Sequence, residues 1–360
     1  MTNDAYARFC AGLPKAELHL HIEGTLSPEQ RLSLARRNGL AAGQGSIAEL
    51  QAARNFGVAG TPQGDLQEML AYYYEGIEVL RKESDFFGIT YDYLRQCQAE
   101  NIRYAEISFD PQAHTARGLP FAAAIDGLHS GLVAGEAAFG VRAQLVMCIN
   151  RDRSVESAFE ALRAAEPYRE WIAGIGLDSV EEGNPPIKFK AVFDQARAQG
   201  YRLTAHCDVD QRDSVRHIWQ CIDDLGVDRI DHGINCIEDI ALVSALRTRK
   251  TCLTACPTWR PRDAGPRRVD RMRAMFDLGL RVTMNSDDPG VLASGSLGHL
   301  MPLAGAAGCF TPAELARLSI HAFEGAWLPS VDREAYVCEV NDYLRSAERG
   351  LQAGQPAGAR

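Results

Sequence analysis

The sequence predicts an α/β fold, a (β/α)8 TIM barrel with a helical insertion between strands 1 and 2. Three observations predict it. Eight short apolar segments recur along most of the chain, each begins with apolar or β-branched residues and finishes in polar, chemically capable ones, and the stretches between them carry apolar residues at helical spacing. Strands buried on both faces in a barrel, with their C-terminal ends opening on a shared site, have this pattern.

In chain order, the first segment is AELHLHIEG, followed by a long insertion from Leu26 to Gln98. Its stretches SPEQRLSLARRNG and LQEMLAYYYEGIEVLRKESDFFGITYDYLRQCQ have helical periodicity and predict a helical cap over the barrel mouth, at about residues 26–98. Tyr72, Tyr73, Tyr74, Phe86, Phe87 and Tyr91 offer either a pocket lining or ordinary helix core. The remaining strands are RYAEISFDP, VRAQLVMCINR, GIGLDSVEEG, YRLTAHCDV, RIDHGIN, TCLTACPT and RVTMNSDDPG. Crossover pieces such as PIKFKAVFDQARAQG and SVRHIWQCIDDLG end near glycine, as helices do. A doubly wound open sheet fits less well, because no GxGxxG follows the first strand and polar strand ends run through all eight units. The expected organisation is a single barrel domain over 1–345 and a flexible tail over 346–360, which ends in the low-complexity GLQAGQPAGAR.

Of the 360 residues, 46% are hydrophobic and 24% charged, which is ordinary globular composition with a sizeable core. Ten cysteines run from Cys10 to Cys338 with no CxxC pair or framework spacing, and MTNDAYARFC has no signal-like apolar run. These features predict a reducing, cytoplasmic setting. No stretch offers the roughly 20 apolar residues of a membrane helix, so no membrane partner is expected. The net charge of −9 and dispersed basic residues exclude the electrostatic footprint of a nucleic-acid binder. The basic run Arg260 to Arg273 reads as a solvated helix face or loop. A small-molecule partner is expected, and a homo-oligomer stays open.

His19 and His21 stand at i and i+2 on a strand, so both imidazoles can face one ion. His206 ends the fifth strand, His232 the sixth, and Asp287 with Asp288 the eighth. Converging polar strand ends would each need a buried partner of their own, whereas one metal satisfies several together. A His3Asp donor set suits a single Zn2+, with Fe2+ or Mn2+ as alternatives, and leaves a position for a water whose pKa the ion lowers towards about 7. His232 is placed to orient that water and take its proton, and Asp288 to hydrogen-bond substrate.

These motifs resemble the adenosine deaminase-like amidohydrolases, and among them the microbial adenine deaminases, over nearly the whole chain. Leu13 to Thr25 (LPKAELHLHIEGT) is similar to the family's opening metal motif and Phe109 to His114 (FDPQAH) to its second-strand signature. Gly176 to Pro186 (GLDSVEEGNPP) is similar to the adenine-deaminase fourth-strand loop, and Arg229 to Gly233 with Asn285 to Pro289 to the last two active-site motifs. The resemblance implies His19, His21, His206 and Asp287 as zinc ligands, His232 as the group that positions and deprotonates water, and Asp288 as acceptor for a purine ring N–H. It also implies Ser179 on the far side of the heterocycle and Glu23 at the place that separates free-base from nucleoside enzymes, which tilts the substrate towards a free base.

The chain departs from the family in three loops. Where the family reads His-Ala-Gly-Glu, with Glu carrying a proton to the ring nitrogen, this sequence reads His206-Cys207-Asp208-Val209. Valine donates no proton, and losing a general acid costs about two to four orders of magnitude in rate. Asp208 or Asp210 is therefore the expected replacement. On the seventh strand Cys256-Pro257-Thr258-Trp259-Arg260 replaces a short polar turn, where Trp259 and Arg260 are either a plain surface pair or a reshaped rim whose guanidinium would favour a carboxylate or phosphate on the substrate. Asn184 stands where the family often has His. The leading expectation is a zinc-dependent hydrolytic deaminase of adenine or a related aminopurine or N-heterocycle with an altered proton-transfer residue. A divergent metal hydrolase of a non-purine substrate, or an inactive metal- and ligand-binding homologue, stays open beside it.

Overall fold

The structure, a computed structural model, describes residues 2–54, 56, 62–207, 210–258 and 268–353. Its strands are β1 (Lys15–His21), β2 (Ile102–Phe109), β3 (Arg142–Asn150), β4 (Ile172–Asp178), β5 (Arg202–Cys207), β6 (Arg229–His232), β7 (Cys252–Ala255) and β8 (Arg281–Met284). Each falls inside one of the eight segments read from the sequence, or overlaps it by all but a residue or two. All neighbours pair in parallel in the order β1-β2-β3-β4-β5-β6-β7-β8. The first and last strands meet just past β8: the His21 N–H donates to Asp287 O at 3.1 Å and the Asp287 N–H to His19 O at 3.2 Å. Leu20 and Asp287 form a parallel bridge there. The sheet therefore curls into a nearly closed barrel.

The helices are α1 (Asn3–Gly12), α2 (Pro28–Arg37), α3 (Ile47–Ala52), α4 (Pro62–Ile77), α5 (Glu83–Ala99), α6 (Pro111–Thr115), α7 (Phe121–Phe139) and α8 (Val155–Ala165). They continue as α9 (Lys190–Ala198), α10 (Ser214–Gln220), α11 (Ile240–Arg249), α12 (Arg268–Asp277), α13 (Leu297–Ala307), α14 (Pro312–Gly325) and α15 (Ser330–Ala353). Helices α2 to α5 occupy the stretch between β1 and β2. Local chemistry starts α2: Ser27 Oγ accepts from the Gln30 N–H, the Gln30 side chain accepts from the Ser27 N–H, and Pro28 occupies the first turn, whose N–H groups lack intrahelical partners. Arg54 ties the insertion to the loop after β8 through Nε to Val291 O at 2.9 Å. Helix α15 runs on to Ala353, past the boundary at 345 expected for the folded part.

All seven residues of β1 and all four of β6 and of β7 are buried, which puts the many polar residues of β1 and β6 under pressure to find partners. At the start of β6 the buried Arg229 pairs with Glu106 and lies 4.2 Å over the Trp327 ring, so the charges at this end of the barrel satisfy one another. The chemistry lies at the opposite, C-terminal ends of the strands.

Candidate metal centre and its cleft

His19 and His21 on β1, His206 on β5 and Asp287 just past β8 are all buried, and one donor atom from each lies within 4.8 Å of the others. His21 Nε2 is 3.1 Å from His206 Nε2, and His19 Nε2 is 3.2 Å from Asp287 Oδ1. The other ring nitrogens are anchored: His206 Nδ1 lies 3.0 Å from Leu177 O, and His19 Nδ1 3.0 Å from Thr254 O. A ring that donates from Nδ1 to a carbonyl keeps a lone pair on Nε2 when neutral. Burial and the neighbouring His19 push His206 down to about 3, so its ring is neutral. Two ring nitrogens 3.1 Å apart either share a proton or turn their lone pairs to one cation, and among the described residues the buried His19 Nε2 has no hydrogen-bond partner. The donor set fits a divalent metal ion.

Asp231, which the sequence reading passed over, holds this arrangement. Its Oδ2 accepts from Thr204 Oγ1 and its Oδ1 from Thr254 Oγ1, both at 2.7 Å, and Oδ2 is 3.5 Å from His206 Nδ1. Burial works against its charge, yet His19, His206 and Arg229 hold the carboxyl below the usual range. It thus orients two histidines at once. The signal for it was its position one residue before His232, inside a fully buried strand.

His232 Nε2 lies 3.8 Å from Asp287 Oδ2, and burial with the neighbouring His19 keeps its ring well below the usual histidine range. A neutral imidazole at that place can accept a proton. Cys256 belongs to the same cluster, but burial pushes its thiol up to about 12 and keeps it protonated. Ser179, His232 and Asp287 all adopt left-handed φ values, of 70°, 60° and 65°. Such conformations in non-glycine residues cost of order 1–3 kcal/mol each and cluster where side-chain placement matters more than relaxed backbone.

A cleft opens above these groups, lined among others by Tyr73, Tyr74, Asp110, Asp178, Ser179, Gln211, Arg268 and Asp288. Asp288 is buried, and among the described residues its Oδ1 and the Oδ1 of Asp110 have no hydrogen-bond partner. Burial and the adjacent Asp287 raise the Asp288 carboxyl, and burial and Asp110 raise that of Asp178. Tyr74 donates to Ser179 Oγ at 2.9 Å, and with Tyr73 it brings α4 over the cleft. The other aromatics of the insertion pack elsewhere: Tyr72 lies under Arg31, Phe86 against His114, and Phe87 on Tyr91.

The structure therefore brings together His19, His21, His206, His232, Asp287, Asp288 and Ser179, and it moves two expected residues away. Asp210 follows the end of β5 in a turn, with φ of 57°; its Oδ1 accepts from Asn235 Nδ2 at 3.1 Å and pairs with Arg271 at 2.9 Å. It does not line the cleft, because the chain has left the strand by then and an arginine holds it at the surface. Glu23 does not line the cleft either. Its Oε1 is 2.8 Å from His114 Nε2 and accepts from the Asp110 N–H at 3.1 Å, which locks it beneath the β1 turn. Asp208, Val209, Trp259 and Arg260 lie outside the described residues. Arg268, Gln211, Asp110 and Asp178 enter the lining without having been singled out from sequence. Asn184 braces the fourth-strand loop through Lys188 Nζ at 2.8 Å.

A (β/α)8 barrel whose strand ends gather three histidines and an aspartate about one point, with a fourth histidine beside them, defines a metal-dependent amidohydrolase. The family model described as adenosine deaminase matches residues 14–343. The chain belongs to the adenosine deaminase family, whose members are metal-dependent hydrolases acting on C–N bonds of cyclic amidines. It is 43% identical to an uncharacterised deaminase of Schizosaccharomyces pombe over 93% of this chain and 97% of that protein. To an adenine deaminase of Crocosphaera subtropica it is 42% identical over 89% and 96%. Among solved structures, an adenine deaminase from Arthrobacter aurescens superposes with a TM-score of 0.86 at 36% identity, covering 92% of this chain and 99% of that one. A zinc-bound amidohydrolase from Burkholderia ambifaria gives a TM-score of 0.87 at 28% identity, covering 98% and 96%.

Proposed function

We propose that this protein is a zinc-dependent hydrolytic deaminase of adenine or a closely related aminopurine, working with an altered proton-transfer residue. The observation that carries the reading is the convergence of four buried donors beneath a cleft walled by His232, Asp288 and Ser179, in a chain whose relatives include adenine deaminases. The zinc bound in one structural neighbour supports that metal. Bound by His19, His21, His206 and Asp287, such an ion supplies Lewis acidity and lowers the pKa of water.

The chain's own groups do the rest. His232 takes the proton of the attacking water and returns it to the leaving amino group. Asp288, fixed against the β1 turn, accepts a ring N–H, and Ser179, held by Tyr74, meets the opposite edge of the heterocycle. With Asp210 engaged by Arg271, Asp208 is the remaining nearby carboxylate of the altered His206-Cys207-Asp208-Val209 segment to carry a proton to the ring nitrogen. The test is ammonia release from adenine, N6-substituted adenines, adenosine and other aminated heterocycles, with the protein zinc-loaded or stripped by chelator. Metal-dependent release from a 6-aminopurine, abolished in His232→Ala and reduced by about 100-fold or more in Asp208→Asn, is expected. A fully zinc-loaded protein that releases ammonia from no aminopurine overturns the reading.

A further inference from the structure

Arg268, the first residue of α12, brings a guanidinium to a cleft wall whose other charged side chains are Asp110, Asp178, Asp287 and Asp288, apart from the histidines. The arginines that follow it on the helix are neutralised: Arg271 pairs with Asp210 and Glu238, and Arg273 with Asp277 and Glu314. Arg268 instead donates Nη1 to the buried Thr258 Oγ1 at 2.9 Å, and among the described residues no carboxylate stands within ion-pair reach of it. Its charge is felt at His232 and Cys256, which places it beside the reacting centre. A guanidinium has five N–H donors and no acceptor, and among the described residues one hydroxyl engages one of them, which leaves donors to offer a ligand.

Unsubstituted adenine serves this wall poorly. Its acceptors are single in-plane ring nitrogens, and it has few N–H donors for Asp110, Asp178 and Asp288. A ring carbonyl changes both counts: the oxygen has two lone pairs for a guanidinium, and the adjoining ring nitrogen becomes an N–H donor for a carboxylate. Such a lactam edge is complementary to a wall in which one cation stands among several acids. We propose that Arg268 is a specificity residue that selects an oxo-substituted aminopurine, with the ring carbonyl held by its guanidinium, over adenine itself. This inference rests on the deaminase reading above and names the substrate class of the same site.

The experiment compares kcat/KM for ammonia release from adenine, 2-oxoadenine, 8-oxoadenine and N6-carboxymethyladenine, using the zinc-loaded full chain and its Arg268→Met and Arg268→Gln variants. The glutamine variant keeps a donor for Thr258 and guards against a folding defect. One oxo-substrate is expected to exceed adenine by about 10- to 100-fold, the range of a hydrogen bond to a charged group, and both variants are expected to erase that ratio. A purely structural role would lower all substrates together and leave the ratio intact, which overturns the inference. Preference for adenine also overturns it, and preference for the carboxymethyl compound does so by assigning Arg268 to a free anion. Adenine turnover with an unchanged ratio leaves the deaminase reading standing alone, whereas silence on every substrate removes both.

Discussion

Gly24 gives the sharpest test of how Asp288 is placed. A Cβ at this position would lie 1.8 Å from Asp288 Oδ1 and 2.7 Å from its Cγ, where ordinary contact begins at 3.4 Å. The carboxylate oxygen would have to retreat by roughly 1.5 Å. The Asp288 backbone cannot follow, because its carbonyl accepts from the Leu292 N–H at 2.7 Å and the Val291 N–H at 3.0 Å. Gly24 is not among the residues with positive φ, so alanine can adopt its backbone, and the smaller entropy of the unfolded chain offsets part of the clash. A displacement on the order of 1 Å in a positioning group costs about 100-fold in rate, near 2.7 kcal/mol. Gly24→Ala should therefore lose about 100-fold in kcat/KM while retaining zinc and a melting temperature close to wild type. In an Asp288→Gly background the added methyl meets neither the carboxylate nor the Cβ that would otherwise lie 2.9 Å away, so the second substitution should cost little, a coupling of about 2 kcal/mol. A Gly24→Ala protein within threefold of wild type, or one with the same loss in both backgrounds, would refute this account of Asp288.

Three further expectations concern parts of the molecule outside the cleft wall. Asp231→Asn removes the carboxylate that faces His206 Nδ1 and one acceptor of the two threonine hydroxyls, so zinc affinity should weaken by about 10- to 100-fold in chelator competition; an unchanged affinity would show that Asp231 only stabilises the fold. Burial pushes Glu17 up to about 7 from an ordinary value of 4.5. The native state thus holds a proton that the unfolded chain has released, and stability falls as pH rises from 4.5 to 7, by on the order of 3 kcal/mol from this group. The difference in unfolding free energy between wild type and Glu17→Gln should change by that amount across the window, and a flat difference would sink the assignment. Of the ten cysteines, only Cys309 and Cys338 are exposed, so a thiol reagent should titrate two groups rapidly in the native protein and the remainder only after unfolding.

The barrel was legible because its strands leave a recurrent mark: the segments from AELHLHIEG to RVTMNSDDPG each carry a short apolar core and run into polar residues towards the C-terminal end, where they meet the site. The candidate metal donors stand out at the same strand ends, where the structure gathers three imidazoles and a carboxylate about one point. Asp231 escaped notice because its partners, Thr204 and Thr254, are near only after β5, β6 and β7 pair. Glu23 looked available by its place in the opening motif, but the His114 that locks it lies ninety-one residues away. Asp210 was expected as a replacement acid from its place beside the altered motif, but β5 ends at Cys207 and the turn beyond it carries Asp210 to Arg271. Within the basic run, sequence offered no means of telling Arg268, which faces the cleft, from Arg271 and Arg273, which bind surface acids, because the distinction depends on where α12 begins and what surrounds it.

The seam between the first and last strands is stitched by the candidate metal ligands themselves, with Asp287 bonded through its backbone to His19 and His21. This gives the centre a place in the order of biosynthesis. A chain emerging from the ribosome has exposed its first two histidines long before the aspartate that completes the set, and the residues separating them include seven of the eight strands. Until β8 is delivered, the early histidines can hold an ion only in an open, incomplete shell that any cellular chelator could empty. Ring closure and secure metal retention thus become a single late event, and a truncated or stalled product would forfeit both.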